Sequence, residues 1–114
     1  MGDSKVILLV GVNCEDPARE AEFNAWYDNV HLLEVCRAPG VKGASRYQIS
    51  EPAEDSPKYL TIYEMEGQGG LEKYDAYRKE QSRGTVRPFT PGPPFRVVWR
   101  KAYSRLSPDA SREE

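Results

Sequence analysis

The chain has 114 residues, of which 30% are charged and 39% hydrophobic, and its net charge at neutral pH is −2. This length suits one compact domain and is too short for two domains with a cleft between them. The balanced charge gives no basic stripe for nucleic acid, and no basic or amphipathic segment predicts contact with a membrane surface.

The first predicted element is a strand formed by the apolar run from Lys5 to Asn13. A continuous apolar run is typical of a central strand that is covered on both faces. Its longest uninterrupted stretch, Val6 to Val12, is too short to span a bilayer, and it lacks a small-residue cleavage site. We therefore read it as a strand and not as a signal peptide, and we expect a cytoplasmic location.

The two cysteines, Cys14 and Cys36, limit the possible redox chemistry. A chain without an export signal should keep them reduced, so we expect small buried hydrophobic residues rather than a disulfide. With one histidine and no Cys-x-x-Cys pair, the sequence predicts no metal site.

A helix of about five turns is predicted from Ala18 to Ala38. Asp16 is placed to cap its free backbone amides, and Pro17 suits a first helical turn. Apolar residues then recur at spacings of three and four and share one helical face, which consists of Phe23, Trp26, Tyr27, Val30 and Leu33. Glu34 falls in the middle of this apolar stripe, where a carboxylate needs a partner.

Two strands are predicted after the turn at Pro39-Gly40, from Val41 to Ser50 and from Tyr59 to Glu66, joined by a polar loop. The glycine-rich segment Gly67 to Gly70 is expected to be a flexible hinge before a second helix, Leu71 to Ser82.

The remaining part of the chain is predicted to hold a loop, a strand and a tail. Four prolines between Pro88 and Pro94 exclude a regular element there. Phe95 to Tyr103 alternates as a last strand. We expect residues 1–106 to form a single domain and the polar residues 107–114 to be a disordered tail.

The predicted order β-α-β-β-α-β is that of a ferredoxin-like α+β sandwich, in which one antiparallel sheet carries two helices on one face. The predicted strands place aromatic and aliphatic residues on both faces, so one helical layer leaves apolar surface uncovered. We expect a second copy to cover that surface, sheet against sheet, so that the homodimer forms an α/β barrel.

His31 is the candidate general acid or base, because it is the only histidine and imidazole has an ordinary pKa near neutrality. It follows Tyr27 by four residues and Phe23 by eight, so it should face the rim of the space between helix and sheet. The alternative is a structural histidine that is hydrogen-bonded at that boundary.

Glu34 is predicted to assist His31, since a carboxylate one turn away can orient an imidazole and raise its basicity. Arg37 and Arg46 are other possible partners, and Tyr27 is a second candidate for orienting the imidazole. The alternative for Glu34 is a solvated carboxylate at a helix end that extends beyond the sheet.

Aromatic side chains are predicted to line a pocket for a flat ligand, although most of them should belong to the core. The candidates for substrate binding are Trp26, Tyr47, Tyr63 and Trp99, with Arg46 as a clamp for a carboxylate or enolate. Arg46 has the alternative of pairing with a neighbouring acid at the surface.

Four short motifs together resemble the EthD-like branch of the dimeric α/β-barrel superfamily. They are F-N-A-W-Y-D-N-V-H-L-L-E-V (Phe23 to Val35), P-G-V (Pro39 to Val41), Arg46-Tyr47 and Y-L-T-I-Y-E (Tyr59 to Glu64). The resemblance covers roughly residues 4–104 and implies a ferredoxin-like monomer, two of which stack their sheets into a barrel.

The same resemblance implies a range of functions. Relatives include proteins of unknown role and cofactor-free isomerases, cyclases and dehydratases that act on lactones or polyketides, in which the histidine matched by His31 is the usual candidate for proton transfer. Trp26, Tyr27, Arg46 and Tyr47 match motif positions without a fixed role.

The leading hypothesis is a small cofactor-independent isomerase, cyclase or lyase acting on a cyclic, partly aromatic or polyketide-like metabolite. His31 would move the proton, Glu34 or a tyrosine would orient it, and Arg46 or Tyr47 would stabilise enolate charge. One alternative is a non-catalytic ligand-binding or accessory dimer of a degradative or biosynthetic pathway, and another is a cofactor-free monooxygenase. A cavity of at least about 300 Å³ opening on His31 would favour a small-molecule site.

Overall fold

The structure is a computed structural model that describes residues 5–112. Within this range it has four strands, β1 (Val6–Cys14), β2 (Val41–Gln48), β3 (Tyr59–Met65) and β4 (Phe95–Ser104). Neighbouring strands are antiparallel, and their order across the sheet is β2-β3-β1-β4. With helices after β1 and β3, this is the ferredoxin-like α+β fold that the sequence predicts.

The first helical segment begins with a 3₁₀ turn (Pro17–Arg19), which Asp16 caps by accepting a hydrogen bond from the backbone N–H of Ala18 at 3.1 Å. It continues as α1 (Glu20–Trp26), a π-helical turn (Tyr27–His31) and α2 (Leu32–Cys36). In the π turn the N–H of Leu32 bonds to the C=O of Tyr27, five residues back. The turn therefore holds one residue more than an α-helical turn.

The π turn changes which side chains face the sheet. Phe23, Tyr27 and Val35 are buried, whereas Leu33 is 49% exposed. Regular α-helical spacing would have kept Leu33 in the apolar stripe and placed Glu34 at its centre. The extra residue advances the stripe by one position, to Val35, so the predicted position of Glu34 inside the stripe is wrong.

The second long helix, α3 (Gly67–Arg83), starts four residues before the predicted one. Its first turn is the segment that the sequence predicts as a flexible hinge, and this prediction is wrong. Gly70 donates its N–H to the C=O of Glu66 at 2.9 Å, as the helix requires. Gly40, with φ of 86°, lies so close that a Cβ there would be 2.0 Å from the carbonyl oxygen of Gly70. The glycine at position 40 therefore permits close packing of the chain before β2 against α3.

The core lies between the helices and one face of the sheet. One cluster of buried side chains is centred on Leu8 and Tyr63, and the other on Phe23 and Tyr27. Each large apolar side chain buried there contributes about 1.5–3 kcal/mol to stability. The only buried polar side chain of the described residues, Thr61, donates its hydroxyl to the Tyr27 phenol oxygen at 3.3 Å.

The opposite face of the sheet has no helix over it. Along the strands, its side chains alternate with those of the core and are largely apolar or aromatic. They include Ile7, Leu9, Tyr47, Leu60, Ile62, Trp99 and Tyr103, of which Tyr47 and Tyr103 are more than half exposed. The predicted dimer would bury this surface, and dimerisation stays a prediction.

The remaining sequence predictions concern the cysteines and the chain ends. Cys14 and Cys36 are both free thiols and only partly buried. No helix within residues 5–112 is long and apolar enough to cross a membrane. Residues 105–112 lie outside the helices and strands. The disorder predicted for 107–114 stays a prediction, and positions 113 and 114 lie outside the described residues.

Candidate functional site

A cavity of about 230 Å³ lies between the helices and the sheet, over β1 and β4. Its walls are mainly aromatic and aliphatic, and the aromatic ones are Tyr27, Tyr63, Tyr74, Phe89 and Phe95. Charged side chains from α3 and β4 complete the lining, namely Asp75, Arg78 and Arg100. His31, at the end of the π turn, also lines this cavity.

Aromatic rings surround the His31 imidazole on several sides. Trp26 stacks on it, with 4.9 Å between ring centroids and 21° between planes. Tyr27 and Phe89 contact it edge to face, at 4.8 and 5.6 Å. The Nδ1 atom is buried and has no hydrogen-bond partner among the described residues. An unpaired buried nitrogen is costly and is a candidate contact for a ligand.

Burial, together with the positive charges of Arg78 and Arg46, lowers the pKa of His31 to about 4, while the negative charge of Glu34 opposes this shift. Burial disfavours the charged imidazolium, which is the physical reason for the direction of this shift. His31 is consequently neutral at physiological pH. The neutral imidazole can accept a proton at its unprotonated ring nitrogen. Very little of the imidazolium form is present at this pH to act as a general acid.

Two tyrosines of the cavity are also affected by burial. Burial raises the pKa of Tyr63 above its usual range, with the nearby Tyr27 phenol adding to the effect. Burial likewise raises the pKa of Tyr74, although the cations Arg78 and Arg100 oppose it. Both phenols stay protonated, so each can donate a hydrogen bond to a ligand.

Glu34 does not bond to His31, contrary to the sequence prediction. Its carboxylate accepts two hydrogen bonds from Thr90, from the backbone N–H and from the hydroxyl, both at 2.8 Å. Burial alone would raise the pKa of Glu34, but these two hydrogen bonds, with smaller contributions from nearby charges, outweigh it and the pKa is lowered. Glu34 therefore ties the proline-rich loop to the first helical segment.

Arg46 lies outside the cavity that His31 lines. Its guanidinium donates to the Asp28 carboxylate and to the Asn24 side-chain oxygen, each at 2.9 Å. It also lies over the Tyr27 ring, 4.3 Å from the centroid. Asp28 and Tyr27 thus hold Arg46 in a structural network, which is the surface pairing that the sequence left open as its alternative.

The structure separates the other predicted binding residues into two groups. Tyr63 lines the His31 cavity, and Trp26 stacks on the imidazole. Tyr47 and Trp99 instead line a shallow depression of about 300 Å³ on the open face of the sheet. They are not brought together with His31.

Sequence reasoning missed Arg78, Tyr74, Phe89 and Phe95. A signal for Arg78 was available, since Leu71, Tyr74 and Arg78 follow helical spacing and share one face of α3. Phe89 lies in the proline-rich loop (Pro88 to Pro94) and Phe95 follows it, and only the tertiary structure brings them to His31.

A second cavity, of about 420 Å³ and widely open to solvent, lies between the proline-rich loop and the same histidine. It shares His31, Arg78, Phe89 and Phe95 with the first cavity. Gly92 rests on Trp26 so closely that a Cβ at position 92 would lie 2.2 Å from the indole ring. The first cavity is smaller than the volume expected from the sequence for a small-molecule site, and the second exceeds it.

No family model and no curated protein matches the sequence. Solved structures do resemble the chain. HapK from Hahella chejuensis has a TM-score of 0.60 and 16% identity, over 95% of this chain and 99% of that one. An ethyl tert-butyl ether D (EthD) family protein from Bacillus halodurans has a TM-score of 0.54 and 12% identity, over 90% and 99%. The chain has the fold of EthD-type proteins.

A putative monooxygenase from Shewanella loihica is also similar in structure, with a TM-score of 0.58 and 12% identity over 95% of this chain and 100% of that one. These likenesses confirm, at the level of the fold, the resemblance predicted from the four sequence motifs. At identities this low they establish the fold alone, so the chemistry has to be argued from the cavity.

Proposed function

We propose that the chain is a small cofactor-independent enzyme in which His31 removes a proton from a cyclic, partly aromatic or polyketide-like substrate. The observation that carries the proposal is the buried Nδ1 of His31, which has no hydrogen-bond partner among residues 5–112 and belongs to a ring that lines a cavity. A neutral, desolvated imidazole beside an apolar cavity is suited to accept a proton from a bound ligand.

The low pKa of His31, about 4, narrows the chemistry. A base this weak removes a proton efficiently only when the substrate proton is itself acidic, as at a carbon beside a carbonyl in a conjugated ring. The imidazolium that results is a strong acid in the same surroundings. It would return the proton to another atom of the substrate, which gives isomerisation, cyclisation or elimination of a hydroxyl.

Other cavity residues take supporting roles in this proposal. Trp26 and Tyr27 hold the imidazole plane by their ring contacts. Tyr63 and Tyr74 keep their protons and can donate hydrogen bonds to a developing enolate oxygen. Glu34 supports the roof of the cavity through Thr90 instead of orienting His31.

We also propose that the protein acts as a homodimer in the cytoplasm. The apolar side chains of the open sheet face, with Tyr47 and Tyr103 more than half exposed, support the dimer. Three residues that the sequence predicts for substrate binding do not line the His31 cavity of the same chain, namely Arg46, Tyr47 and Trp99.

The test compares the wild type with His31→Gln on a panel of enolisable cyclic ketones and lactones in deuterated water. Proton NMR measures exchange at the acidic carbon, and circular dichroism checks that the variant is folded. We expect exchange with the wild type and at least a hundredfold less with the variant, about the contribution of a general base. Equal exchange by a folded His31→Gln protein would overturn the role of His31.

The same panel separates the two alternative functions. Binding of a panel compound without exchange would favour the ligand-binding dimer. Neither binding nor exchange would favour the accessory dimer, for which the small volume of the first cavity, about 230 Å³, is the supporting observation. Oxygen consumption with a quinol would favour a cofactor-free monooxygenase.

A further inference from the structure

The His31 cavity carries a positive charge that no described residue neutralises. Of its two arginines, Arg100 forms an ion pair with Asp75, which also lines the cavity. Arg78 forms no ion pair with any of residues 5–112. Its guanidinium donates to the Gln81 side chain at 2.9 Å and lies over the Phe89 ring, 4.9 Å from the centroid.

The remaining titratable groups of the cavity do not offset this charge. Burial keeps His31 neutral and keeps Tyr63 and Tyr74 protonated near pH 7. Glu34, whose negative charge acts on His31, does not line the cavity and already accepts two hydrogen bonds from Thr90. The lining thus has a net charge that an anionic group of a ligand would complement.

The shape of the cavity limits what the rest of the ligand can be. Tyr27, Phe89 and Phe95 supply aromatic walls around His31, and such walls favour flat rings. The volume of about 230 Å³ is below that of pockets for drug-sized ligands, which start at about 300 Å³. A single ring fits this space, and a longer ligand would have to extend past Phe89 into the second cavity.

We propose that the cavity selects a flat ring bearing an oxyanion, such as a carboxylate, enolate or phenolate, with the oxyanion on the Arg78 guanidinium and the ring between the aromatic walls. This inference rests on the proposed function in placing the substrate beside His31, and it adds the charge of that substrate. Arg78 is then the residue that determines specificity, because it binds the charged form with charge-assisted hydrogen bonds.

A bound oxyanion also changes the proton affinity of His31. The charged groups acting on the imidazole are Arg78 and Arg46, which disfavour the imidazolium, and Glu34, which favours it. A negative charge placed on Arg78 offsets its effect, so the substrate itself makes His31 a stronger base. A neutral analogue of the same shape would not do so.

The test uses benzenesulfonate, which stays anionic over the whole pH range of the protein, and benzenesulfonamide as its neutral match. Calorimetry measures binding of each to the wild type, Arg78→Gln, Arg78→Lys and Lys79→Gln. The last variant removes the same charge from the neighbouring position of α3; both side chains are exposed, but only that of Arg78 lines the cavity. Thermal melting confirms that each variant is folded.

We expect the wild type to bind benzenesulfonate at least about tenfold more tightly than benzenesulfonamide, in keeping with a hydrogen bond to a charged group. Arg78→Gln should abolish this preference, Arg78→Lys should keep part of it, and Lys79→Gln should leave it unchanged. Because His31 is the only histidine, its Hε1 ring proton gives a single NMR signal, and bound benzenesulfonate should raise the titration midpoint of that signal.

Three results would overturn the inference: no binding of benzenesulfonate, equal binding of the neutral match, or an unchanged preference in Arg78→Gln. These measurements need no turnover, so they are independent of the role of His31. A His31→Gln protein that binds benzenesulfonate but catalyses no exchange supports both proposals. Exchange by the wild type without charge selection refutes only the role of Arg78.

Discussion

Thr90 donates both its backbone N–H and its hydroxyl to the carboxylate of Glu34, each over 2.8 Å. Phe89, the preceding residue, contacts the His31 imidazole edge to face. The two hydrogen bonds therefore fix the part of the proline-rich loop that forms the roof over the histidine. A residue that the sequence places in catalysis is tied instead to the loop that closes the site.

Glu34→Ala should loosen this loop without unfolding the protein. Because the bonds are solvent-exposed, we expect a loss of about 1 kcal/mol in the free energy of unfolding and about half of that for Thr90→Val. Hydrogen exchange should show faster exchange of the Phe89 and Thr90 amides. Glu51→Ala, in the exposed β2–β3 loop, serves as the control. An unchanged hydrogen-exchange rate of the Thr90 amide in Glu34→Ala would contradict the role of Glu34 in holding the loop.

The single histidine allows a direct measurement of its protonation. We expect the NMR signal of His31 to titrate near pH 4, well below the ordinary value of 6.5. A folded-state pKa below the unfolded one means that protonation favours the unfolded chain. The stability due to neutral His31 is present above pH 6.5 and is lost as pH falls towards 4.

The size of this loss is on the order of 3 kcal/mol, since each pKa unit corresponds to about 1.4 kcal/mol. It should appear as the difference between wild type and His31→Gln in denaturant melts at a series of pH values, because carboxylates titrate equally in both proteins. A midpoint at or above 6.5, or parallel stability curves for the two proteins, would refute the burial of a neutral imidazole.

Two glycines provide a matched test of the start of α3. Gly40→Ala should destabilise the protein by about 3 kcal/mol or more, because φ is positive and the new Cβ would meet the Gly70 backbone. Gly69→Ala places its methyl in open space within the first turn of α3, so it should stabilise by about 0.5–1 kcal/mol. Denaturant melts measure both. A destabilising Gly69→Ala would argue that the segment is not helical.

The apolar side chains on the open face of the sheet predict that the protein is a dimer. Sedimentation velocity should give a dimer for the wild type and a monomer for Ile62→Lys, because a buried lysine at a sheet–sheet contact carries a large desolvation penalty. Ala76→Lys, on the exposed side of α3, should remain a dimer. A wild-type monomer at micromolar concentration, or a dimeric Ile62→Lys, would disprove this interface.

The strands were predictable because side-chain alternation is a local property. The predicted β2 and β3 begin at the observed residues, Val41 and Tyr59, and end within two residues of the observed ends. The segment Gly67–Gly70 was not predictable in this way. Its glycine-rich composition predicts flexibility. In the structure the segment is helical: Gly70 donates its N–H to Glu66, and it packs against Gly40, which is distant in sequence.

The site was predictable only where one element supplies it. His31, Trp26 and Tyr27 lie on one helical segment, and the structure brings their rings together. Phe89, from the proline-rich loop, and Phe95, from β4, also line the cavity. No local sequence pattern predicts that these two elements meet there. The role of Glu34 was missed because regular α-helical spacing was assumed. The π turn moves the apolar stripe by one residue, from position 34 to Val35, and no other sequence signal marks the turn.

The extra residue of the π turn links the packing of the core to the position of His31. Deleting one residue from 27–31 would restore α-helical pitch and better hydrogen-bond geometry to the segment, yet it would rotate everything before the turn relative to Val35. Either the core would lose Val35 or the cavity would lose its histidine. This protein therefore cannot make the helix more regular without displacing Val35 or His31, and stabilising substitutions must lie elsewhere in the fold.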